Sequence, residues 1–258
     1  MNATAEPSAS TARATDLAAS RRHVVLRHRL GIDGAGLPML AAGLFVVTLA
    51  LTAVVSVRFD VRISGWDVAA QVGRWFVGAV GVHLTAVYLP LYVTHGLTRR
   101  RVAGDAAIFA ALYALIGAMC VAVGYALESF VYRLAGWQHG LDGHLFDSPA
   151  QAHLVVAEYG AAFLVYLAAG ALLDAGFYRS PALGSAVLVP AIAAVVAVEA
   201  AIGAGVLLPP PLLHLAGLAD PGVLGPTAVL GTAVALAALL GGLTWPIVRD
   251  VPIRNQAA

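Results

Sequence analysis

The sequence predicts an all-α membrane protein of six spanning helices, with the N and C termini both cytoplasmic. Three observations predict it. Hydrophobic residues make up 60% of the 258 positions, where an average soluble domain holds about 45–50%. Charged residues make up only 11%, against about 25% in such a domain. The apolar residues also gather into six runs, near 38–58, 74–95, 104–127, 152–174, 183–207 and 226–248. Each run is close to or above the ~20 residues a helix needs to cross the hydrocarbon core. A soluble domain of this length cannot hide so much apolar surface, so lipid is the solvent for much of the chain.

The elements follow in order. Residues 1–20, "MNATAEPSASTARATDLAAS", are small and polar. They lack the basic stretch and apolar core of a signal peptide and read as a disordered cytoplasmic tail. In "RRHVVLRHRLGIDGAG" the apolar Val24, Val25, Leu26 and Leu30 scatter around a helical wheel, so no amphipathic helix is predicted. Residues 1–36 are thus a tail with a basic pre-membrane anchor, residues 37–248 a six-helix domain, and residues 249–258 a second tail. Gly96 is placed to cap the second helix and Gly176 the fourth. Ser180 and Pro181 suit the N-cap and first position of the fifth, and Asp105 suits the positive end of the third. Ala118 with Ala122, and Ala201 with Gly205, place small side chains on one helix face, where helices approach closely in lipid.

Orientation follows from arginine, the basic residue at all 15 Lys+Arg positions. Arg21, Arg22, Arg27 and Arg29 precede the first span, and Arg99, Arg100 and Arg101 follow the second. Arg179 follows the fourth, and Arg249 and Arg254 follow the sixth. All four regions fall on one side. The other side holds Arg58, Arg62 and Arg133, offset by Asp60, Asp67, Asp142, Asp147 and Asp220. Basic residues favour the inside, so that arginine-rich side is the cytoplasm and the expected location is a bacterial plasma membrane.

Composition also excludes. A net charge of +1 without a basic stripe leaves no footprint for nucleic acid. Without lysine there is no phosphate-gripping GxxxxGK[ST] loop, so ATP-driven work requires a separate subunit. The single cysteine, Cys120, rules out an internal disulfide and reads as a small packing residue. No catalytic residue, metal site or cofactor is predicted in this chain.

The stretch "YVTHGLTRRRVAGD" (92–105) concentrates charge in one connector. Three inward arginines would set topology. The glycine-bounded sequence around them, with apolar Leu97 and Val102 beside the guanidinium groups, also suits a knob that docks on a protein. In "YLPLYVTHGLTRRRVAGDAAIFAALYAL" a G-[LVM]-[TS]-R-R pattern follows the second span. There the chain resembles membrane subunits of type-2 ABC exporters, particularly short actinobacterial six-span permeases. "LLDAGFYRSPALG" (172–184) is similar to the short turn between the fourth and fifth helices of such permeases. "LLPPPLLHLAGLADPGVLGP" (207–226) falls where that family has short re-entrant helices between spans five and six. Its central apolar stretch, about nine residues at ~1.5 Å each, is too short to span and must dip into the membrane or lie along it.

The resemblance implies a permease that forms a substrate path, as a homodimer or heterodimer, and is driven by a cytosolic ATP-binding subunit. The connector between spans two and three would dock that subunit through Gly96, Leu97, Thr98, Arg99, Arg100, Arg101 and Val102. The membrane-surface helix expected before the first span has no clean counterpart here.

Four other residues are candidates for the pathway: His83, Glu128, Glu158 and Glu199. Glu199 falls within the fifth run, where a carboxylate calls for pairing or function, and His83, deep in the second run, is its expected partner. That pair supports an alternative reading, a proton-coupled secondary transporter or channel; a non-transporting membrane scaffold is a third. Glu158 and Glu128 are expected to reach water at the interface or in a vestibule. The segment "WQHGLDGHLFDSPAQAH" (137–153) brings together His139, Asp142, His144, Asp147 and His153. Its spacing matches no metal template, so it reads as a polar surface loop. Paired haem histidines at depth are lacking, and Ser185 in "LGSAV" lacks a glycine-rich nucleophile turn.

Overall fold

The computed structural model describes residues 24–141, 144–202 and 225–250. These form seven helices: α1 (Val24–Ser56), α2 (Gly65–Ala86), α3 (Tyr88–Thr94), α4 (Arg99–Ala135), α5 (Ala152–Arg179), α6 (Pro181–Ile202) and α7 (Pro226–Arg249). No strand occurs among the described residues. Helices α2 and α3 together make one candidate span, and six spans are long and apolar enough to cross a membrane. The expected tail 1–20, the segment 207–224 and the last eight residues lie outside the described residues.

Each boundary has a local cause. Ser64 caps α2, its hydroxyl accepting from the Asp67 amide. The helix breaks at Val87 because Pro90 lacks the N–H that the Ala86 carbonyl would accept. Gly96 then takes a positive φ of 83° and ends α3, its amide donating to Val93 and that of Leu97 to Tyr92. Thr98 caps α4, and Gly136, at φ 70°, closes it. Ser180 ends α5 and starts α6, its hydroxyl accepting from the Leu183 amide. Gly176 is not the predicted cap, because α5 runs on to Arg179. Gly176 instead marks where α5 meets Gly184 and Val187 of α6. The basic pre-membrane segment from Val24 onward is helical and continuous with the first span.

Helix α5 is the central post. Val155, Tyr159, Ala162, Val165, Leu167, Leu172 and Ala175 along it are fully buried. It shares one apolar core with α2 and α4 and another with α6 and α7. Helix α1 packs on the outside, with Val46, Leu51 and Val54 exposed. In a hydrocarbon solvent such surface is where it belongs.

Glycine lets α2 and α5 touch backbone to backbone. A Cβ on Gly81 would strike the Leu167 carbonyl, and one on Gly170 would strike that of Gly78. Close crossings of this kind carry much of helix association in lipid. Gly170→Leu is therefore expected to lower stability by about 1–3 kcal/mol, read as thermal unfolding in detergent. Gly43→Leu, on an open face of α1, should change little; equal effects from the two would refute the crossing.

Candidate functional site

Arg74 lies nine residues into α2, about 14 Å along its axis. Its side chain is wholly buried. A charge at such a place must be paired within the bundle. Its Nη1 donates to Glu199 Oε2 of α6 at 2.5 Å, and its Nη2 lies 3.6 Å from Glu158 Oε1 of α5. The guanidinium carbon stands 4.9 Å from the centre of the Tyr159 ring. Glu199 also accepts from the Tyr166 hydroxyl at 3.1 Å. One guanidinium therefore ties α2, α5 and α6 together. Its Nε and Nη2 make no hydrogen bond among the described residues.

The network continues to the chain segment between α4 and α5. His144 presents Nδ1 to Glu158 Oε1 at 2.8 Å and Nε2 to Asp67 Oδ1 at 3.4 Å. The Leu145 amide donates to the other Glu158 oxygen at 2.8 Å. Asp67 accepts from Tyr125 and Tyr159, whose hydroxyls are 2.9 Å apart. Burial opposes the imidazolium, but the two flanking carboxylates outweigh it and raise the His144 pKa to about 9. The three carboxylates Asp67, Glu158 and Glu199 thus face two cations.

A second cluster caps α2. Glu128, buried on α4, accepts from the Ser64 hydroxyl at 2.5 Å and the Trp66 amide at 2.7 Å. The Gly65 amide donates to the Tyr132 hydroxyl at 3.1 Å. Together with Ser64 on the Asp67 amide, this occupies the first three N–H groups of α2. His139 Nε2 meets Glu128 Oε2 at 2.7 Å. Backbone bonds from Gln138 to Val61 and from Gly140 to Arg62 close the end of the bundle.

Several expectations are corrected here. His83 does not partner Glu199: it is exposed on α2, with Nδ1 facing the Ala79 carbonyl of its own helix at 2.9 Å. Arg74 and His83 are nine positions apart, roughly 180° around the helix, so only one can face the bundle. Glu128 and Glu158 do not reach water; both are buried among fixed donors. The 137–153 segment is no simple surface loop, since His139 and His144 turn inward onto buried carboxylates, while Asp147 and His153 remain exposed. Asp142 lies outside the described residues. Among the described residues no group of three His, Cys, Asp or Glu side chains is placed to hold a metal.

The arginine connector sits at the opposite end. Gly96 and Thr98 are exposed, Leu97 is half-buried and Val102 buried. Residues 99–102 form the first turn of α4, not a separate docking helix, so the connector proper is 95–98. Arg99 Nη1 donates to the carbonyls of Val248 and Arg249, at 2.7 and 3.0 Å, and so ties α4 to the end of α7. Arg100 is exposed.

The fold and these two ends define a helical bundle, with six helical segments long and apolar enough to cross a membrane, a buried ion network at one end and an arginine corner at the other. No family model, curated protein or solved structure matches the chain.

Arg74→Met would leave Glu199 and Glu158 buried beside no guanidinium. A loss of about 3–5 kcal/mol is expected, with most of it regained in Arg74→Met/Glu199→Met. Unfolding in mixed detergent reads both; a single variant as stable as the parent would refute the clamp. His144 should titrate near 9 by imidazole NMR, against about 6.5 for a free histidine. Because the folded value is raised, its stabilisation is complete below about pH 6.5 and is lost as pH rises through 9. Glu158→Gln should shift the midpoint down; an unchanged midpoint would refute the pairing.

Proposed function

We propose that this chain is the membrane half of an ATP-binding-cassette exporter, working as a dimer and driven by a separate cytosolic ATPase. One observation carries the reading: the corner made by α3, the 95–98 turn and the start of α4. Its GLTRR sequence resembles the docking connector of type-2 permeases, and its Arg99 grips the last carbonyls of α7. A displacement of this corner moves α3, α4 and α7 together. Arg100 stands exposed beside the grip, available to a partner's carboxylates. On this reading the corner faces the cytoplasm, as its arginines favour, and the ion network lies toward the outside. Residues 207–224, which lie outside the described residues, correspond in sequence on this reading to the family's re-entrant segment.

A second reading, a proton-coupled carrier, is supported by the chain of ionisable groups from His144 through Glu158 to Arg74 and Glu199. It rests on those residues and no longer on His83. The salt bridge of Glu199 with Arg74 weighs against it, because a paired glutamate is a poor proton carrier.

The deciding measurement is co-purification in mild detergent. The parent should bring down a cytosolic ATP-binding protein, and Arg100→Glu should lose it while keeping its thermal unfolding profile. Absence of any ATPase with the parent, or undiminished capture by Arg100→Glu, would overturn the exporter reading. Flux down a pH gradient in ATPase-free liposomes, abolished by Glu158→Gln, would establish the second.

A further inference from the structure

A cleft of about 420 Å³ opens between α4, α5 and α7, lined among others by Ala106, Ala110, Ala171, Val234, Gly241 and Val248. It exists because small side chains face one another across the gap. A Cβ built on Gly241 meets nothing within 4 Å. The volume is nearly three times the ~150 Å³ of an apolar cavity that accommodates benzene. The cleft opens sideways, out of the bundle: Val234 on its wall is 57% exposed. The wall hydroxyl of Thr244 is spent on the Leu240 carbonyl, so the side walls favour a hydrocarbon.

Length and charge specify the occupant further. From Val102 to Ala110 the cleft follows α4 for about 12 Å, and from Val248 to Val234 it follows α7 for about 21 Å. One leaflet of hydrocarbon is about 15 Å deep, half of the ~30 Å core. The cleft begins at the arginine corner, and its walls of about 12–21 Å bracket the length of an acyl chain in one leaflet. Arg99 stands four and seven positions before Ala103 and Ala106, on the face of α4 that lines the cleft, and Arg100 stands seven positions before Ala107, at the edge of that face. Apolar walls of one-leaflet length with guanidinium groups at the head match one class of molecule.

We propose that the cleft holds one acyl chain of an anionic phospholipid, with its phosphate against Arg100 and the arginine corner. The bound chain fills the gap between the third and sixth spans. The headgroup meets charge that the helix dipole at the start of α4 reinforces, since a helix N-terminus attracts anions.

Native mass spectrometry of the full chain tests this, with phosphatidylglycerol and phosphatidylcholine of identical acyl chains as probes. The parent should retain one lipid per chain and prefer phosphatidylglycerol about fivefold, the factor one basic residue supplies near an anionic surface. Gly241→Leu should abolish retention of both lipids without lowering thermal stability, and Ala107→Leu serves should that variant not fold. Arg100→Gln should erase the preference while keeping retention. Equal retention of the two lipids by the parent, or no retention at all, would overturn the proposal. So would retention untouched by cleft filling, or a dimer that becomes a monomer on Gly241→Leu, which would assign the cleft to a second copy. Capture of an ATP-binding subunit does not depend on Gly241, so this inference and the exporter reading fail separately.

Discussion

An arginine buried in the middle of an apolar helical bundle cannot be left without counter-charge, and most of the architecture near one end answers that constraint. Arg74 is the charge in question. Removing it from water is costly, and its attraction to a carboxylate offsets the cost only with short, well-placed contacts. Glu199 gives the short contact and Glu158 the longer one. Since those residues sit on α6 and α5, the pairing sets the depth of both helices relative to α2. Glu158 is in turn held by His144 and the Leu145 amide, so a segment between α4 and α5 is recruited to complete a buried ion pair. The hydroxyls of Tyr125, Tyr159 and Tyr166 occupy lone pairs that would otherwise face hydrocarbon.

The two ends of the bundle are therefore built differently. At the network end, α2, α4, α5 and α6 are joined by charge-assisted bonds, and two histidines tie the intervening segment down. Toward the arginine corner the link between α4 and α7 is Arg99 on two carbonyls, with an open cleft behind it. Directional bonds in low dielectric hold geometry tightly, whereas small residues around a gap leave room to slide. On the exporter reading, a force applied at the corner would meet the more yielding half of the molecule, with the rigid half as the fulcrum.

The spans were legible because hydropathy integrates over ~20 residues and tolerates local error. Cap chemistry was legible where it is short-range, at Gly96 and at Ser180 with Pro181. Arg74 was not, for a definite reason: a charge at the edge of an apolar run looks like the end of the membrane. The corrective signal was present in "SGWD", where Ser64 stands three residues before Asp67 as in a capping box. Starting the helix there moves Arg74 nine residues inward and turns it into a buried ion that demands partners. Nine positions also separate it from His83, so the same step excludes His83 as the partner of Glu199. The inward turn of His139 and His144 had no local signal. It depends on carboxylates from α4, α5 and the first turn of α2, which come together only in three dimensions.

Charge counting treats Arg99, Arg100 and Arg101 as equal votes for one side of the membrane, yet their surroundings differ. All three begin a helix, the end at which a cation is disfavoured by the peptide dipoles. Arg99 escapes by reaching to the last carbonyls of α7, where the dipole points the other way and two acceptors await it. That contact turns an unfavourable position on one helix into a C-terminal cap on another. Arg101 is half-buried, and Arg100 remains exposed at the edge of the face that lines the cleft. A run that topology alone would explain thus divides by helical phase into a residue that joins two spans and one free to meet a partner outside the bundle.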